Sequence, residues 1–167
     1  MKEPVLVIIK PDGISKGLTG PIFTKFSQAD LEIIAVKIAK STRLLVEKHY
    51  HHLKNEHYFE DVISYLLGIG YKRKKLLAVI YYGEGAIKKC RKIAGATNPE
   101  KAHPFSIRGS YGRITTKGLF ENVVHVSSDK KEAKREIRLW FEPDEITRDL
   151  YSTHLVKIAN QKKRVWK

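Results

Sequence analysis

Four short runs of apolar, largely β-branched residues recur along the chain and predict four β-strands. Each run is bounded by turn-forming or charged residues, as buried strands commonly are. The predicted strands cover residues 4–10, 31–39, 76–82 and 123–126.

Between these runs, apolar residues return every three or four positions, which is the spacing of amphipathic helices. Thr19 and Thr42 stand where a hydroxyl can cap a helix, and Gly95 stands where one would end. Lys10-Pro-Asp-Gly13 predicts a turn. Residues 96–118 lack periodicity and predict a long loop, which in a compact domain is either disordered or functional. The helices are expected at residues 19–26, 44–53, 58–67, 84–94 and 129–140, with a short turn at 143–146.

The order of these elements, β-α-β-α-α-β-α-β-α, predicts an α/β (α+β) sandwich. It permits a ferredoxin-like arrangement, in which a four-stranded antiparallel sheet carries its helices on one face. The pattern alone leaves a doubly wound sheet open. The length of 167 residues favours one domain. We expect that domain at residues 1–150 and a loosely held basic tail at residues 151–167.

The charge is strongly positive, with 32 Lys and Arg against 18 Asp and Glu and a net charge of +14. Such a surface attracts nucleotides and other polyanions, so incidental nucleic-acid affinity is expected. The basic residues form several short runs rather than one stripe, and no groove-reading motif is evident. A lone cysteine, Cys90, makes a reducing cytoplasm the default location. The apolar run at residues 5–9 is too short for a membrane span, so no membrane association is expected.

Candidate chemistry centres on His125, in the run Asn122-Val-Val-His125-Val-Ser127-Ser128. A neutral imidazole at the end of a strand can act as a nucleophile that carries a group between two substrates. Lys10, Arg91, Thr97 and Arg108 are the cations and donors that phosphoryl transfer requires. The sequence has no Gly-x-x-x-x-Gly-Lys-Ser/Thr motif, which argues against a P-loop. Histidine is therefore the candidate phosphoryl acceptor.

Six motifs, in order, resemble those of nucleoside diphosphate kinases. They lie between about residues 5 and 146 and are Lys10-Pro-Asp-Gly13, His49-Tyr50, Gly95-Ala-Thr97-Asn98-Pro99, Ser106-Ile-Arg108-Gly109, Asn122-x-x-His125-x-Ser127 and Glu136-Ile-x-Leu-Trp140-Phe141. One motif could arise by chance, but six in order are specific. The resemblance implies a ferredoxin-like fold, Mg²⁺ and a homo-oligomer, hexameric or tetrameric. It also implies a ping-pong reaction that moves the γ-phosphoryl group from a nucleoside triphosphate to a nucleoside diphosphate.

The resemblance also implies roles around the nucleophile. His125 would be phosphorylated, and Glu136 would hold its imidazole in the required tautomer. Ser127 would lie beside the histidine and bond to Glu136 or to the phosphohistidine. Independently of the resemblance, its hydroxyl could cap the following helix, and both roles could hold together. Lys10 would offer a positive charge to the transferring phosphate, and Tyr50 would donate a hydrogen bond near the nucleophile.

A second group of residues would hold the nucleotide. Arg91 and Arg108 would grip phosphate oxygens with planar guanidinium groups, and Thr97 would donate its hydroxyl to a phosphate. Asn122 would bind sugar hydroxyls or the nearby phosphate. Tyr58 would stack on the base, which would tolerate any base because each has a π-face. Mg²⁺ would be held chiefly by the nucleotide phosphates, so no protein metal ligands are expected.

The chain departs from the common form of this family at several positions. Val126 stands where Gly or Ala is usual, Ser128 replaces Asp, and Lys16 replaces Arg. The segment between Arg108 and Asn122 is longer, so residues 110–121 are expected to fold differently from the usual loop.

Two other interpretations remain open at this point. A zinc site could be built from His49, His51, His52 and His57, but their spacing fits no metalloprotease helix and no cysteine accompanies them. The net charge supports a polyanion-binding or nucleic-acid-binding protein on the same fold, with an impaired kinase site.

Overall fold

A four-stranded antiparallel sheet forms the centre of the computed structural model, which describes residues 1–158 and 161–167. The strand order is β2-β3-β1-β6, and each neighbouring pair is antiparallel. The strands are β1 (Lys2–Ile9), β2 (Glu32–Ala39), β3 (Leu76–Glu84) and β6 (Val124–Val126). The antiparallel pairing confirms the ferredoxin-like prediction and excludes a doubly wound parallel sheet.

The central strand β1 is apolar on both faces because helices cover both sides of the sheet. All residues from Val5 to Ile9 are at most 1% exposed. Alternate side chains enter two clusters, one with α2 (Thr19–Ser27) and α5 (Ala86–Ala94), the other with α7 (Lys130–Trp140). A strand covered on both faces has a continuous apolar run rather than alternation. The expectation of helices on one face only was therefore wrong.

The remaining elements are short and surround the sheet. Thr42 caps α3 as predicted, since its Oγ1 accepts a hydrogen bond of 3.2 Å from the Leu45 amide. Thr19 does not cap α2: it lies in the first turn, and the capping position belongs to Leu18. These elements are α1 (Pro11–Ser15), α3 (Arg43–His49), α4 (Phe59–Leu66), α6 (Ile107–Tyr111), β4 (Arg113–Ile114), β5 (Phe120–Glu121) and 3-10 turns at His51–Leu53, Pro99–Lys101 and Pro143–Glu145.

Two segments predicted to be irregular are regular in the structure. The Lys10-Pro-Asp-Gly13 motif is not a turn but the start of α1, with Pro11 at the first helical position, where no amide hydrogen is needed. The predicted loop at residues 96–118 contains a 3-10 turn, α6 and β4. The lengthened part of this segment forms a β4–β5 hairpin.

The C-terminal segment contains two strands where a loosely held tail was expected. Strands β7 (Thr153–Ile158) and β8 (Gln161–Trp166) pair antiparallel. The Trp166 indole donates a 3.0 Å hydrogen bond to the carbonyl of Phe141, and its ring lies 5.7 Å from that of Tyr151. Residues 159 and 160 of the predicted tail lie outside the described residues. None of the helices in the described ranges has the length and apolar character needed to cross a membrane.

Candidate active site

A cleft of about 810 Å³ opens beside the edge strand β6. It is lined by every predicted site residue except Ser127, which is fully buried behind it. The sequence therefore identified a group of side chains that the fold brings together from six separate segments. They are Lys10, Tyr50, Tyr58, Arg91, Thr97, Arg108, Asn122, His125 and Glu136.

His125 is the middle residue of β6 and faces the cleft. It pairs with Ile8 of β1. Because side chains alternate along a strand, Val124 and Val126 enter the core on the opposite face. Val126, the departure from the family, is 4% exposed and packs in that core. The strand thus holds His125 between two buried valine residues, Val124 and Val126.

The backbone just before β6 is in an unusual conformation. Val123, predicted as the first residue of the strand, has φ of 55°, so the strand begins at Val124. A positive φ is costly for a β-branched residue and persists only where the surroundings enforce it. Here the Val123 carbonyl accepts a 2.8 Å hydrogen bond from the Lys10 amide. This turn connects Lys10 to the segment that carries His125.

Glu136, on α7, contacts the imidazole and is held by Ser127. Its Oε1 lies 2.9 Å from Nε2 of His125, a close contact whose angles fall short of a regular hydrogen bond. Ser127 donates its hydroxyl hydrogen to Oε2 at 2.5 Å. The other interpretation of Ser127, a helix cap, is wrong because Asp129 caps α7 by accepting from the Glu132 amide.

The electrostatic environment keeps the nucleophile candidate neutral. Burial lowers the pKa of His125 well below its ordinary value, and the positive charges of Lys10 and Arg108 lower it further. Burial raises the pKa of Glu136, while His49 and the Ser127 hydroxyl oppose that shift. A neutral imidazole keeps the lone pair that nucleophilic attack requires.

Lys10 lies at the end of β1 and joins a chain of hydrogen bonds. Its Nζ donates to Asn122 Oδ1 at 2.7 Å, and Asn122 Nδ2 donates to the Thr97 carbonyl at 2.8 Å. Burial and the nearby Arg108 lower the pKa of Lys10 to about 7. Both ends of the Asn122 amide are thus engaged by the protein.

Arg108 joins the loop after α5 to strand β6, which carries His125. Its two terminal nitrogens donate to the carbonyls of Gly95 at 2.9 Å and Val124 at 3.0 Å. Its Nε is buried without a partner among the described residues. Arg91 and Thr97 are exposed in the cleft. The cleft therefore combines buried cations that are fixed by the protein with exposed groups that are free to meet a ligand.

Comparison with known proteins identifies the family. Residues 3–146 match the family profile described as nucleoside diphosphate kinase. The chain belongs to the nucleoside diphosphate kinase family. It is accordingly a phosphotransferase.

Individual relatives agree along most of the chain. A nucleoside diphosphate kinase of Pyrococcus furiosus is 40% identical over 144 residues, which are 86% of each chain. The solved enzyme of Halobacterium salinarum, in complex with CDP, has a TM-score of 0.79 at 30% identity and covers 87% of this chain and 91% of its own. The Borrelia burgdorferi enzyme with bound vanadate and ADP has a TM-score of 0.77 at 29% identity, with coverages of 87% and 90%.

The mouth of the cleft combines one predicted residue, Tyr58, with a segment that the sequence did not single out. Tyr58, 38% exposed, precedes α4 and lines the cleft as predicted. Residues 117–120, from the β4–β5 hairpin, line it too. The extra length between Arg108 and Asn122 was the signal that this segment differs, but it did not indicate that the segment reaches the cleft.

His49 is a buried residue beside the cleft to which the sequence gave no role in phosphoryl transfer. It is 1% exposed, and its Nε2 lies 3.9 Å from Oε1 of Glu136. Its position next to Tyr50 in a matched motif was the available signal. Within the described ranges, the group with metal-compatible spacing is His49, His125 and Glu136, with ligand atoms within 4.8 Å of one another. The predicted zinc alternative of His49, His51, His52 and His57 is not such a group, because His49 alone of the four belongs to it.

Proposed function

We propose that the enzyme works by a ping-pong mechanism in which His125 is phosphorylated. The observation that carries this proposal is the 2.9 Å contact between Glu136 Oε1 and Nε2 of a neutral His125. With Nε2 held by the carboxylate, Nδ1 is the ring nitrogen that attacks. Its lone pair forms a bond to the γ-phosphorus, and the bond from that phosphorus to the β–γ bridging oxygen breaks.

The second half of the reaction reverses these steps with a different nucleotide. A β-phosphate oxygen of the acceptor diphosphate attacks the phosphorus, and the P–N bond breaks. His125 returns to the neutral form that accepts the next phosphoryl group. Glu136 stabilises the positive charge that the ring carries while phosphorylated. Ser127 holds the second carboxylate oxygen and thereby fixes the direction of the first.

The cations and donors of the cleft have distinct roles in this scheme. The exposed Arg91 and Thr97 contact phosphate oxygens directly, and Arg108 adds positive charge from a fixed position. Lys10 approaches the transferring phosphate, whose charge restores the protonated amine. Asn122 holds Lys10 in place and reaches the sugar or the phosphate with the rest of its bonding capacity.

The nucleotide base lies at the mouth of the cleft in this proposal. Tyr58 stacks on it, and Tyr50, buried at 8% exposure with its ring 6.0 Å from that of His125, donates a hydrogen bond deeper in the cleft. Stacking supports broad base tolerance because it reads no base edge.

Mg²⁺ enters this scheme as part of the nucleotide substrate. It prefers oxygen ligands, whereas the metal-compatible group in the described residues offers two imidazoles and one carboxylate. That chemistry supports a metal held by the phosphates of the nucleotide. When bound there, the ion neutralises phosphate charge, and the protein's residues orient the complex.

We also propose that the protein forms a homo-oligomer. A second copy of the chain is a partner, in a hexamer or tetramer. The support for it is the edge strand β2, which exposes Ile33, Val36 and Ile38 at 45%, 49% and 68%.

The kinase domain occupies residues 1–150. A cytoplasmic location is supported by the free, buried Cys90, and weak nucleic-acid affinity by the net charge of +14.

Labelling with γ-labelled ATP and Mg²⁺ tests the mechanism. The wild type is expected to acquire acid-labile, alkali-stable label, and a chase with a different nucleoside diphosphate removes it as the new triphosphate. The His125→Ala variant acquires none. Absence of label on folded wild type, or label that persists in His125→Ala, would contradict the proposal.

A further inference from the structure

His49 is a buried histidine that touches the nucleophile but not the cleft. It ends α3, and its ring meets the His125 ring edge to face, with centroids 4.4 Å apart and an interplanar angle of 78°. It does not line the cleft. Any effect of His49 on the reaction must therefore pass through the cleft side chains that it contacts, His125, Glu136 and Tyr50, rather than through contact with the nucleotide.

The tautomer of His49 is fixed by Trp140. The Trp140 indole N–H donates a 3.0 Å hydrogen bond to His49 Nδ1. An indole nitrogen only donates, so Nδ1 must be the unprotonated nitrogen. Burial lowers the pKa of His49 well below its ordinary value, and the neighbouring His125 lowers it further. His49 is accordingly a neutral ring that carries its single proton on Nε2.

That Nε2–H is a buried donor without a hydrogen-bond partner in the described part of the chain. Oε1 of Glu136 lies 3.9 Å away, and the same oxygen lies 2.9 Å from His125 Nε2. An unsatisfied buried donor is costly and calls for an explanation. A shift of about 1 Å would bring His49 within hydrogen-bond distance of the carboxylate.

A metal ion does not explain this group well, despite its spacing. A cation bound at His49 Nε2 requires the proton on Nδ1. The Nδ1–H would then face the indole N–H of Trp140, and two donors would oppose each other at 3.0 Å. The hydrogen bond from Trp140 thus favours a donor role for His49 over a ligand role.

We propose that His49 is a positioning residue for phosphoryl transfer, whose Nε2–H, fixed by Trp140, keeps the Glu136 carboxylate ionised and directed at Nε2 of His125. Its ring edge also limits rotation of the His125 imidazole. The proposal rests on the nucleophilic role of His125. With the shift of about 1 Å, His49 would add a second donor to the carboxylate oxygen that contacts His125, while Ser127 occupies the other oxygen.

Two substitutions separate the donor from the bulk of the side chain. The His49→Gln side chain keeps an N–H donor near the position of Nε2, whereas His49→Met has similar length and no donor. Both variants lose the ring nitrogen that accepts the Trp140 hydrogen bond, so that effect cancels when their kcat values are compared. We expect His49→Met to lower kcat about 10-fold with KM unchanged, and His49→Gln to remain within about threefold of wild type. Equal kcat in two folded variants would overturn the proposal.

A spectroscopic test needs no substitution at His49. In the wild type, ¹⁵N NMR of the histidine rings should show a protonated Nε2 and an unprotonated Nδ1 at His49. Trp140→Phe should allow the second tautomer or the charged ring to appear, and should lower kcat. The matched control is Trp166→Phe, which also removes a 3.0 Å indole hydrogen bond but lies away from the cleft.

The outcomes distinguish the positioning role of His49 from the ping-pong mechanism at His125. A proton on Nδ1 of wild-type His49, or a Trp140→Phe spectrum and kcat equal to those of wild type, would overturn the positioning role. Wild type that takes up label on His125 in the same preparation would leave the ping-pong mechanism intact. Failure of that labelling with the expected His49 tautomer would instead count against the mechanism.

Discussion

Oε1 of Glu136 and Nε2 of His125 lie 2.9 Å apart and join helix α7 to the edge strand of the sheet. The two residues are eleven positions apart, and the intervening turn is held by Ser127, whose hydroxyl bonds to Glu136 and whose Oγ accepts from the Leu6 amide at 3.2 Å. The sheet, the turn and the helix therefore set the orientation of one imidazole together. The functional consequences of this arrangement can be measured.

Glu136→Gln should keep the shape of the contact and remove its charge. The phosphorylated imidazole would lose the carboxylate that stabilises it, so we expect kcat to fall about 10- to 100-fold with KM little changed. Steady-state assays with saturating ATP and a diphosphate acceptor measure this. Glu60→Gln, an exposed carboxylate that pairs with Arg43 outside the cleft, is the control. Unchanged kcat in Glu136→Gln would show that the contact is only structural.

The rate of phosphohistidine formation should persist below the ordinary pKa of histidine. Burial, Lys10 and Arg108 depress the pKa of His125, so the ring stays neutral at pH 6.5 and is protonated only at lower pH. Burial raises the pKa of Glu136, which contacts the ring, so the midpoint belongs to the pair. Rapid-quench measurement of label uptake between pH 4.5 and 8 locates it. A midpoint at or above about 6.5 would contradict this electrostatic picture.

The elements that sequence reasoning predicted correctly are those in which local pattern and tertiary structure agree. The strands around Val5–Ile9 and Leu76–Tyr82 are continuous apolar runs, and His125, Glu136 and Lys10 belong to motifs whose order is specific. Lys10-Pro-Asp-Gly13 was mistaken for a turn because Pro and Asp mark both turns and helix starts.

Other features depend on contacts between distant segments. The positive φ of Val123 accompanies a hydrogen bond from the distant Lys10 amide to its carbonyl, which no local pattern reveals. His49 acquires its tautomer from Trp140, 91 positions away along the chain. The β4–β5 hairpin reaches the cleft only because the fold directs it there. Such features could be found only from the structure.

Lys10→Met should change how stability depends on pH. Burial lowers the pKa of Lys10 to about 7 in the folded protein, against an ordinary value of 10.5 in the unfolded chain. Between these values the unfolded chain binds the extra proton, so the wild type gains stability as pH rises from 7 to 10.5. Below pH 7 the native state bears the full cost of a buried charge. Relative to the wild type, the variant should therefore be most stable at about pH 7 and below, and should lose this advantage as the pH rises towards 10.5.

Urea unfolding of wild type and Lys10→Met at several pH values checks this difference. We expect the gap in free energy of unfolding to change by up to about 1.4 kcal/mol per pH unit across the window. Lys88→Met, at an exposed position of α5, is the control. A pH-independent gap between wild type and Lys10→Met would mean that the Lys10 amine is solvated in the folded state.

Trp166→Ala should destabilise the fold without affecting turnover. Trp166 packs against the cluster that contains Phe141 and Trp140, donates to the Phe141 carbonyl, and stacks with the Arg138 guanidinium 5.7 Å from its ring. No described residue of the C-terminal hairpin lines the active-site cleft. We expect a loss of about 1–3 kcal/mol in the free energy of unfolding and kcat within twofold of wild type. Lys157→Ala, on β7 with an exposed side chain, should change neither quantity. A stable Trp166→Ala variant would mean that the hairpin does not pack on α7 in solution, whereas a large loss of kcat would mean that it supports the site.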